Sequence, residues 1–342
     1  MKIFMSGATG YIGHPLAFRL ANEGNTIHAL CRTPSKEKLI QHENIKVFKG
    51  DITDYDSVLT AMKGCTQVYH LAGYVSVYAK DNSIFYDVNV GGTKNILDAA
   101  NALGIDRVCF TSTAGVLGPS KGKPVEESDK RIGTAFSPYE DSKTKAEDLC
   151  REYVKQKGME VVMVNPPRIY GEGIESESNA VTKLMKWYIE GKWKLLPGNG
   201  KRTGSYVHID DVVNGHVLAM ERGRPGERYI LSGENLSYTE FFGLISELSG
   251  KKNFLIPVPV PLMIATGYVM TGLAKITGKP PLLTAAWAEK FSYDWSLSCE
   301  KAKKELGYSF ISAREGFKKT IDAILNNQRE ENVHKTRSLN LN

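Results

Sequence analysis

The chain has 342 residues, enough for two domains or one large α/β unit, and the composition of an ordinary globular protein. Its net charge of +6 comes from interspersed acids and bases without a basic block, which argues against nucleic-acid binding. The five cysteines are widely spaced without a CxxC pair. This argues for reduced thiols in a cytoplasmic protein, against a disulfide framework and against a metal site. The N-terminus enters a strand directly, so we expect no signal peptide.

Short apolar runs alternate with helical patterns through the first half of the chain, as in a parallel sheet with helices on both faces. The predicted strands cover 2–7, 26–32, 45–50, 67–73, 107–113 and 160–166, and the predicted helices cover 11–23, 54–63, 87–103 and 138–157. Several strands are rich in valine and isoleucine with little alternation, as expected for strands buried on both faces.

The first predicted strand runs into a glycine-rich turn, GATGYIG at 7–13, which opens an amphipathic helix. Glycines there let backbone N–H groups approach a pyrophosphate, and the helix N-terminus favours the anion. In this strand–turn–helix context the pattern predicts a Rossmann-type dinucleotide site. The cofactor-binding candidates in the turn are Gly7, Thr9, Gly10, Tyr11, Ile12 and Gly13.

The end of the second predicted strand bears on the choice of cofactor. It reads Ala29-Leu30-Cys31-Arg32, and no carboxylate stands at that edge, where an NAD site usually has Asp or Glu. Arg32 can instead pair bidentately with a 2′-phosphate. We therefore expect NADP(H) in preference to NAD(H), which stays the alternative; a plain surface role is the alternative for Arg32.

A tyrosine stands four residues before a lysine in YEDSK, Tyr139 to Lys143, and the spacing recurs at 153–157 and 188–192. Residues 137–140 read as a helix start, with a serine N-cap, proline at the first helical position and glutamate closing a capping box. Tyr139 and Lys143 then lie one turn apart on one face. Tyr153 lies about 21 Å further along the same helix, at 1.5 Å per residue, and cannot share the site.

The pattern changes after Pro166-Pro167. A polar, glycine-rich region surrounds one amphipathic segment, Ala180 to Ile189. Further predicted elements are strands at 206–209 and 227–233 and helices from Asp210, at 239–249 and at 299–306. The polar tail, 326–342, is predicted to be disordered because it has no core to join.

Residues 254–274 contain no charged side chain over a length that can span a bilayer. Three prolines, at 257, 259 and 261, break the first third and leave about a dozen helix-compatible residues. A buried or half-buried helix is the favoured interpretation, and a peripheral membrane contact is the alternative.

Taken together, the motifs resemble the extended short-chain dehydrogenase/reductase family, also called the NAD-dependent epimerase/dehydratase family. They are GATGYIG (7–13), GDITD (50–54), HLAG (70–73), DVNVGGTKN (87–95), FTSTAGVLG (110–118), SPYEDSK (137–143), NPPRIYG (165–171) and VHIDDVV (207–213). They follow the family's order and spacing over roughly residues 1–325. By this resemblance the HIDD stretch is a helix start and not a metal site.

The resemblance implies an α/β fold with a doubly wound parallel sheet and a smaller, mostly C-terminal α/β substrate domain. The cofactor domain would cover 1–170 plus roughly 207–232, and the substrate domain 171–206 and 233–325. Further cofactor contacts would come from Asp51, Ile52, Leu71, Ala72, Gly73, Tyr139, Lys143, Pro166 and Ile169. Asn89 would support the sheet and the site.

The resemblance also assigns the chemistry of carbonyl reduction, which needs a hydride at carbon and a proton at oxygen. Tyr139 would be the acid, and Thr113, with Ser112 as the fallback, would hold the substrate oxygen. A free tyrosine has a pKa of about 10. We expect the ammonium of Lys143 to lower the pKa of Tyr139 while it binds the nicotinamide ribose.

The substrate branch is less sharply indicated. Sugar-nucleotide members typically carry an arginine at the position of Gly204, although Arg202 lies two residues upstream. The stretch GERYILSGEN (226–235) is similar to dihydroflavonol-4-reductase-like and 3β-hydroxysteroid-dehydrogenase-like members. Arg202 and Asn179 are the substrate-binding candidates.

We therefore expect an NADPH-dependent reductase of a small-molecule ketone or aldehyde. A nucleotide-sugar epimerase and a non-catalytic NADP-sensing protein are the alternatives. The resemblance also allows a homodimer.

Overall fold

The structure is a computed structural model that describes residues 1–174 and 179–339, with side chains as far as residue 328. The strands are β1 (Lys2–Ser6), β2 (Thr26–Cys31), β3 (Ile45–Lys49), β4 (Gln67–His70), β5 (Arg107–Thr111), β6 (Val161–Asn165), β7 (Arg168–Tyr170), β8 (Leu195–Pro197), β9 (Thr203–His208), β10 (Arg228–Ile230), β11 (Glu234–Ser237) and β12 (Ile256–Val258). The helices are α1 (Gly13–Asn22), α2 (Tyr55–Met62), α3 (Ser83–Tyr86), α4 (Gly92–Ala102), α5 (Pro138–Lys157), α6 (Ala180–Ile189), α7 (Ile209–Arg222), α8 (Tyr238–Ser249), α9 (Val260–Thr277), α10 (Ala285–Glu289), α11 (Glu300–Leu306) and α12 (Ala313–Leu339). Short 3-10 helices cover Pro34–Ile40, Ala114–Leu117 and Lys290–Ser292, and a π-helical turn covers Asp87–Gly91.

Seven strands form a parallel sheet in the order β10-β6-β5-β4-β1-β2-β3. All six strands predicted in the first half are present, and each ends one to three residues before its predicted end. The residues after each strand leave the sheet and form loops at its carboxyl edge. The strand order reverses between β1 and β4, which is where such sheets open a crevice for a ligand.

Helices cover both faces of this sheet, as the doubly wound prediction requires. Leu16 of α1, Val213 of α7 and Leu306 of α11 share one buried cluster with the sheet. Ile96 of α4 and Ala146 of α5 belong to a cluster on the opposite face. The apolar faces of these helices therefore close a three-layer α/β core.

A second, smaller region lies beyond β6. Strand β9 pairs in parallel with β7 and antiparallel with β11, and β12 pairs with β8. A third cluster packs α6, α8 and α12 together, with Met185, Phe241 and Phe317 at its centre. Strands β7, β8, β11 and β12 are not predicted from the sequence, since each has only three or four residues and little alternation.

The apolar helix α9 differs from its prediction. It starts at Val260 and is 18 residues long, because Pro261 lies in its first turn, where a missing N–H breaks no helical bond. In the described part of the chain it is the one helix apolar enough to cross a bilayer by length and composition, with a mean hydropathy of 1.3. Only 11% of it is buried, so the prediction of a buried or half-buried helix is wrong. Its small residues Gly267 and Ala274 are buried, and the rest of its surface is largely open.

The polar tail also differs from its prediction. Helix α12 continues through it to Leu339, where the sequence predicts disorder. The first half of α12 is anchored by buried Phe317, Ile321 and Ile324. Extending an anchored helix needs no new nucleus, and the Gln, Arg and Glu residues that follow favour the helix. Residues 340–342 of the predicted tail lie outside the described residues.

Candidate active site

The glycine turn joins β1 to α1 at the carboxyl edge of the sheet. Gly7 has a φ of +80°, and a Cβ there would lie 2.7 Å from the amide nitrogen of Ala72. A Cβ on Gly13 would collide with the carbonyl of Gly7. The turn therefore needs glycine at both positions and lies directly against segment 71–73, another predicted cofactor contact. Bare backbone at a helix N-terminus fits a pyrophosphate.

Tyr11 and Ile169, predicted to contact the cofactor, have buried side chains that share one cluster. The Tyr11 hydroxyl donates to the carbonyl of Gly171 at 3.0 Å, and burial raises the pKa of this phenol. The Tyr11 side chain thus packs in the core beneath the glycine turn and links the turn to the loop after β7 by a hydrogen bond. Because the Tyr11 side chain is buried, only the backbone of Tyr11 would contact a cofactor.

Arg32 lies at the tip of β2 with its side chain 68% exposed. One guanidinium nitrogen is 3.7 Å from the carboxylate of Asp51, which also accepts hydrogen bonds from the backbone and hydroxyl of Thr53. Such an exposed ion pair is weak and leaves the guanidinium free to turn toward a phosphate. Ile52, another predicted cofactor contact, is buried in the core against Gly92.

Tyr139 lies in the first turn of α5, and its hydroxyl is close enough to the side chain of Thr113, just after β5, for Thr113 to affect its pKa. Thr113 Oγ1 also accepts the N–H of Gly115 at 3.2 Å. Burial raises the pKa of Tyr139 to about 12, the nearby Thr113 side chain lowers it, and the charge of Glu140 raises it. The phenol is therefore protonated at neutral pH, which is the form that donates a proton.

Lys143 follows one turn later on α5 and is buried. Its Nζ donates to the carbonyl of Thr111 at 2.6 Å and lies 4.1 Å from the centre of the Phe110 ring. Burial lowers the pKa of Lys143 to about 8. The expectation that Lys143 lowers the pKa of Tyr139 is wrong in this structure, because the ammonium is held by Thr111 and burial dominates the phenol.

The other two tyrosine–lysine pairs lie elsewhere. Tyr153, further along α5, donates its hydroxyl to Asp98 at 2.6 Å. Tyr188 ends α6 in the third cluster, where its hydroxyl accepts the N–H of Asn253. The shared spacing at these two sites is accidental.

Asn89 fixes the position of α5 relative to the cofactor side of the sheet. Its side-chain oxygen accepts the N–H of Tyr74 at 2.7 Å, and its nitrogen donates to the Tyr74 carbonyl and to Ser142 Oγ. Ser142 in turn donates to the carbonyl of Tyr139 at 2.8 Å. Asn89 lies in the π-helical turn, a local irregularity that often marks functional sites. This arrangement agrees with its predicted supporting role.

Glu140, next to Tyr139, is 1% exposed and holds the start of α5. Ser137 caps the helix as predicted, but the Glu140 carboxylate accepts the N–H of Phe136 rather than that of Ser137. The same carboxylate pairs with Arg131 at 2.9 Å and with Lys290. The predicted capping box is therefore half formed, because Arg131 and the distant Lys290 hold the glutamate.

Glu147 is a second buried acid on the same helix. It accepts a hydrogen bond from Asn165 at 2.6 Å and pairs with Arg151 and Arg228. Asn165 also donates to the carbonyl of Thr113 at 3.1 Å. The sequence analysis missed this support, and its only local signal is that Glu147 stands one turn after Lys143.

His70 belongs to the frame of the site. Ser6 Oγ is 2.7 Å from its Nδ1, and its Nε2 is 3.0 Å from Thr93 Oγ1, which donates to the carbonyl of Asn89. That chain requires Nε2 to carry the proton of a neutral ring. Burial, aided by the charge of Lys143, lowers the pKa of His70 to about 3. The ring links β4 to the π-helical turn, which is a packing role.

The predicted substrate residues are not brought together in an obvious way. Asn179 begins α6 and is buried, and its Oδ1 has no hydrogen-bond partner in the part of the chain described. Arg202 is half exposed and pairs with Asp294 at 2.8 Å. Ser112, the fallback for Thr113, is buried, with a hydroxyl that likewise lacks a partner among the described residues.

Sequence reasoning also missed Arg168, which stands in the NPPRIYG motif. Its guanidinium fills the space over Gly204 and lies 5.5 Å from the ring centres of Tyr206 and Tyr238. It donates to the Tyr238 hydroxyl at 3.0 Å, and no carboxylate among the described residues pairs with it. An arginine from β7 thus occupies the space that a side chain at position 204 of β9 would need.

Comparisons with known proteins agree with the fold and the motifs. Residues 3–232 match the NAD dependent epimerase/dehydratase family. The chain is 28% identical to a putative dihydroflavonol 4-reductase of Synechocystis sp., over 89% of each chain. It is 30% identical to sterol demethylase protein B of Methylococcus capsulatus, over 77% of this chain and 79% of that protein.

A solved structure also matches closely. The UDP-glucose 4-epimerase of Thermotoga maritima with UDP-glucose has a TM-score of 0.79 at 21% identity, over 96% of this chain and 100% of that one, which supports the fold alone. The chain belongs to the NAD dependent epimerase/dehydratase family and is an NAD(P)-binding extended short-chain dehydrogenase/reductase.

Proposed function

We propose that this member of the family is an NADPH-dependent reductase of an apolar ketone or aldehyde, with Tyr139 as the proton donor. The observation that carries the proposal is the proximity of Thr113 and Tyr139, with Lys143 one turn away and next to Gly73 of the segment that lies against the glycine turn. We further propose a cytoplasmic location, in keeping with five buried free cysteines.

The nicotinamide cofactor supplies the hydride when it is bound. The glycine turn would hold its pyrophosphate, Arg32 the 2′-phosphate and Lys143 the nicotinamide ribose. Thr113 would hold the substrate oxygen and Tyr139 would donate its proton to that oxygen. The raised pKa of Tyr139 suits this direction, because the phenol keeps its proton until the oxygen becomes more basic.

An apolar substrate is supported by two observations. Arg202, a candidate for binding a charged substrate, is already paired with Asp294. In addition, a reductase of a flavonoid-type carbonyl and a sterol demethylase protein are among the named relatives. Both support the proposal of a substrate held mainly by apolar contacts.

A nucleotide-sugar epimerase is the second candidate, and Arg168 is the observation in its favour. The Nη1 of Arg168 is buried without a hydrogen-bond partner among the described residues, and such a group would suit an anion such as a diphosphate. Its packing between two tyrosine rings is equally suited to a structural role. Activity assays separate the two reactions.

The test mixes the purified protein with NADPH or NADH and a panel of apolar ketones, aldehydes and flavonoid-like carbonyls. UDP- and dTDP-sugars run in parallel and are analysed for interconversion. Carbonyl-dependent oxidation of NADPH, faster than that of NADH, is the expected result. Sugar interconversion without net loss of cofactor would overturn the proposal in favour of the epimerase. Cofactor binding without either turnover would favour the NADP-sensing alternative.

A further inference from the structure

Residues 251–288, which we call the apolar lobe, carry an unusual share of the exposed apolar surface. Phe254, Tyr268, Ile276 and Leu282 are each more than two-thirds exposed. Leu262, Val269 and Leu273 add to the same surface of α9. Monomeric proteins rarely expose apolar residues in such continuity, and a surface of this kind marks an interaction site.

The charges of the apolar lobe have one sign. Lys251 and Lys252 precede α9, Lys275 and Lys279 stand at its end, and no Asp or Glu occurs from 251 to 288. Lys80, from the loop after β4, adds a cation beside Gly278, where its Nζ would lie 3.6 Å from an added Cβ. Cations therefore flank both ends of an apolar helix. On an anionic lipid surface the cations would meet the headgroups and the apolar side chains would meet the acyl chains.

Both ends of the apolar lobe are attached to the folded protein, so α9 would lie along a lipid surface and would not cross a bilayer. Before α9, strand β12 pairs with β8, and after it the N–H of Trp295 donates to the carbonyl of Thr203 at 3.0 Å. Both ends of the segment are thus held by the same folded body. Gly267 packs so closely on the start of α10 that a Cβ would meet the backbone of Thr284 and Ala285. One side of α9 is fixed to the protein and the other is free.

A second copy of the chain is a poorer occupant than lipid. A twofold symmetric contact brings the same patch of both subunits together. Here it would place lysines against lysines, and the first acid after α9, Glu289, stands ten residues beyond Lys279 at the end of α10. Anionic lipid headgroups supply the missing charge, and acyl chains cover the exposed leucine, isoleucine and aromatic side chains.

We propose that the apolar lobe docks the protein peripherally on an anionic lipid surface. This inference does not depend on the reaction catalysed. Docking would place the active site near the lipid, because the segment after the lobe returns to it. Lys290 pairs with Glu140, and Tyr293 packs on Phe136 with ring centres 5.4 Å apart.

The test is vesicle flotation of the full chain with phosphatidylcholine alone and with phosphatidylcholine mixed with phosphatidylglycerol. The apolar variant is Leu273→Glu/Ile276→Glu and the charge variant is Lys275→Glu/Lys279→Glu. The matched control is Leu39→Glu, which also replaces an exposed leucine by an acid. Leu39 lies in the 3-10 helix Pro34–Ile40, outside the apolar lobe. Circular dichroism and gel filtration check that each variant is folded.

We expect the wild type and Leu39→Glu to float with the anionic vesicles, and less so at high salt. Each variant of the apolar lobe should bind at least about tenfold less, because acids replace either two cations that attract the headgroups or two apolar side chains that contact the acyl chains. A wild type that stays with the unbound fraction on both vesicles would overturn the proposal. So would equal loss in the Leu39→Glu control, or a wild-type dimer that the apolar variant makes monomeric without any vesicle binding.

Discussion

Two regions of the molecule place polar and apolar side chains in opposite ways. One is the catalytic corner, formed by Thr113, Tyr139 and Lys143 with the acids of α5, and the other is the apolar lobe. In the corner, charged groups are buried and each is held by named partners: Glu140 by Arg131 and Lys290. In the lobe, apolar side chains are open to solvent and cations line the ends of the helix. The corner is preorganised for chemistry by its own chain, whereas the lobe lacks the partner that would complete it.

The largest effect should come from breaking a buried charge cluster in the corner. Glu140→Gln would leave Arg131 and Lys290 without their shared carboxylate, and we expect a loss of about 3 kcal/mol in the free energy of unfolding. Glu289→Gln, at an exposed position at the edge of the lobe, is the matched control and should change it by less than about 0.5 kcal/mol. Urea unfolding measures both. Equal effects would mean that the corner is no more preorganised than the surface.

The buried lysine should make stability depend on pH. The pKa of Lys143 is lowered to about 8 in the folded protein from an ordinary 10.5, so the unfolded chain binds this proton more tightly between those values. Wild-type stability should therefore rise from pH 8 to pH 10.5, by about 3 kcal/mol relative to Lys143→Met. Unfolding of both proteins across this range gives the difference. Parallel profiles would show that Lys143 is not held as the structure places it.

At the cofactor end, Arg32→Ala should weaken NADPH binding by about 10- to 100-fold, because the charge-assisted hydrogen bonds to the 2′-phosphate are lost. NADH binding should not change, because it lacks the 2′-phosphate. Titration by fluorescence measures both affinities, with Lys38→Ala as a nearby cationic control. If Arg32→Ala weakens both cofactors equally, Arg32 does not select NADPH.

The smallest effect should come from the lobe. Leu273→Ala removes an exposed side chain of α9 and should change the free energy of unfolding by less than about 0.5 kcal/mol. Leu97→Ala, at a buried position of α4, should lower it by about 2–5 kcal/mol. Denaturant unfolding compares the pair. A loss in Leu273→Ala as large as that in Leu97→Ala would mean that α9 is part of the core.

The comparison of these regions also explains what the sequence could predict. The parallel strands, the glycine turn and the start of α5 are encoded by contiguous residues, so motifs such as GATGYIG and SPYEDSK were enough to find them. The pairing of Thr113 with Tyr139 follows from the same motifs, because both stand at the carboxyl edge of the sheet.

Contacts between distant segments could not be predicted in this way. The pairing of Lys290 with Glu140, and of Arg228 with Glu147, joins residues more than 80 positions apart and leaves no local pattern. The pKa of Tyr139 was predicted in the wrong direction, because spacing shows that Lys143 is near but not that burial outweighs its charge. The exposure of α9 could not be predicted, because an apolar composition alone does not distinguish a helix buried in the core from one on the protein surface.

The most direct test of the proposed catalytic corner compares two tyrosines of the same helix. Tyr139→Phe removes the proposed acid, and Tyr153→Phe removes a hydroxyl with the same spacing to a lysine. With the carbonyl substrate found in the panel, Tyr139→Phe should lower kcat by at least about 100-fold with NADPH binding intact, whereas Tyr153→Phe should keep wild-type activity. Wild-type turnover by a folded Tyr139→Phe protein would contradict the account.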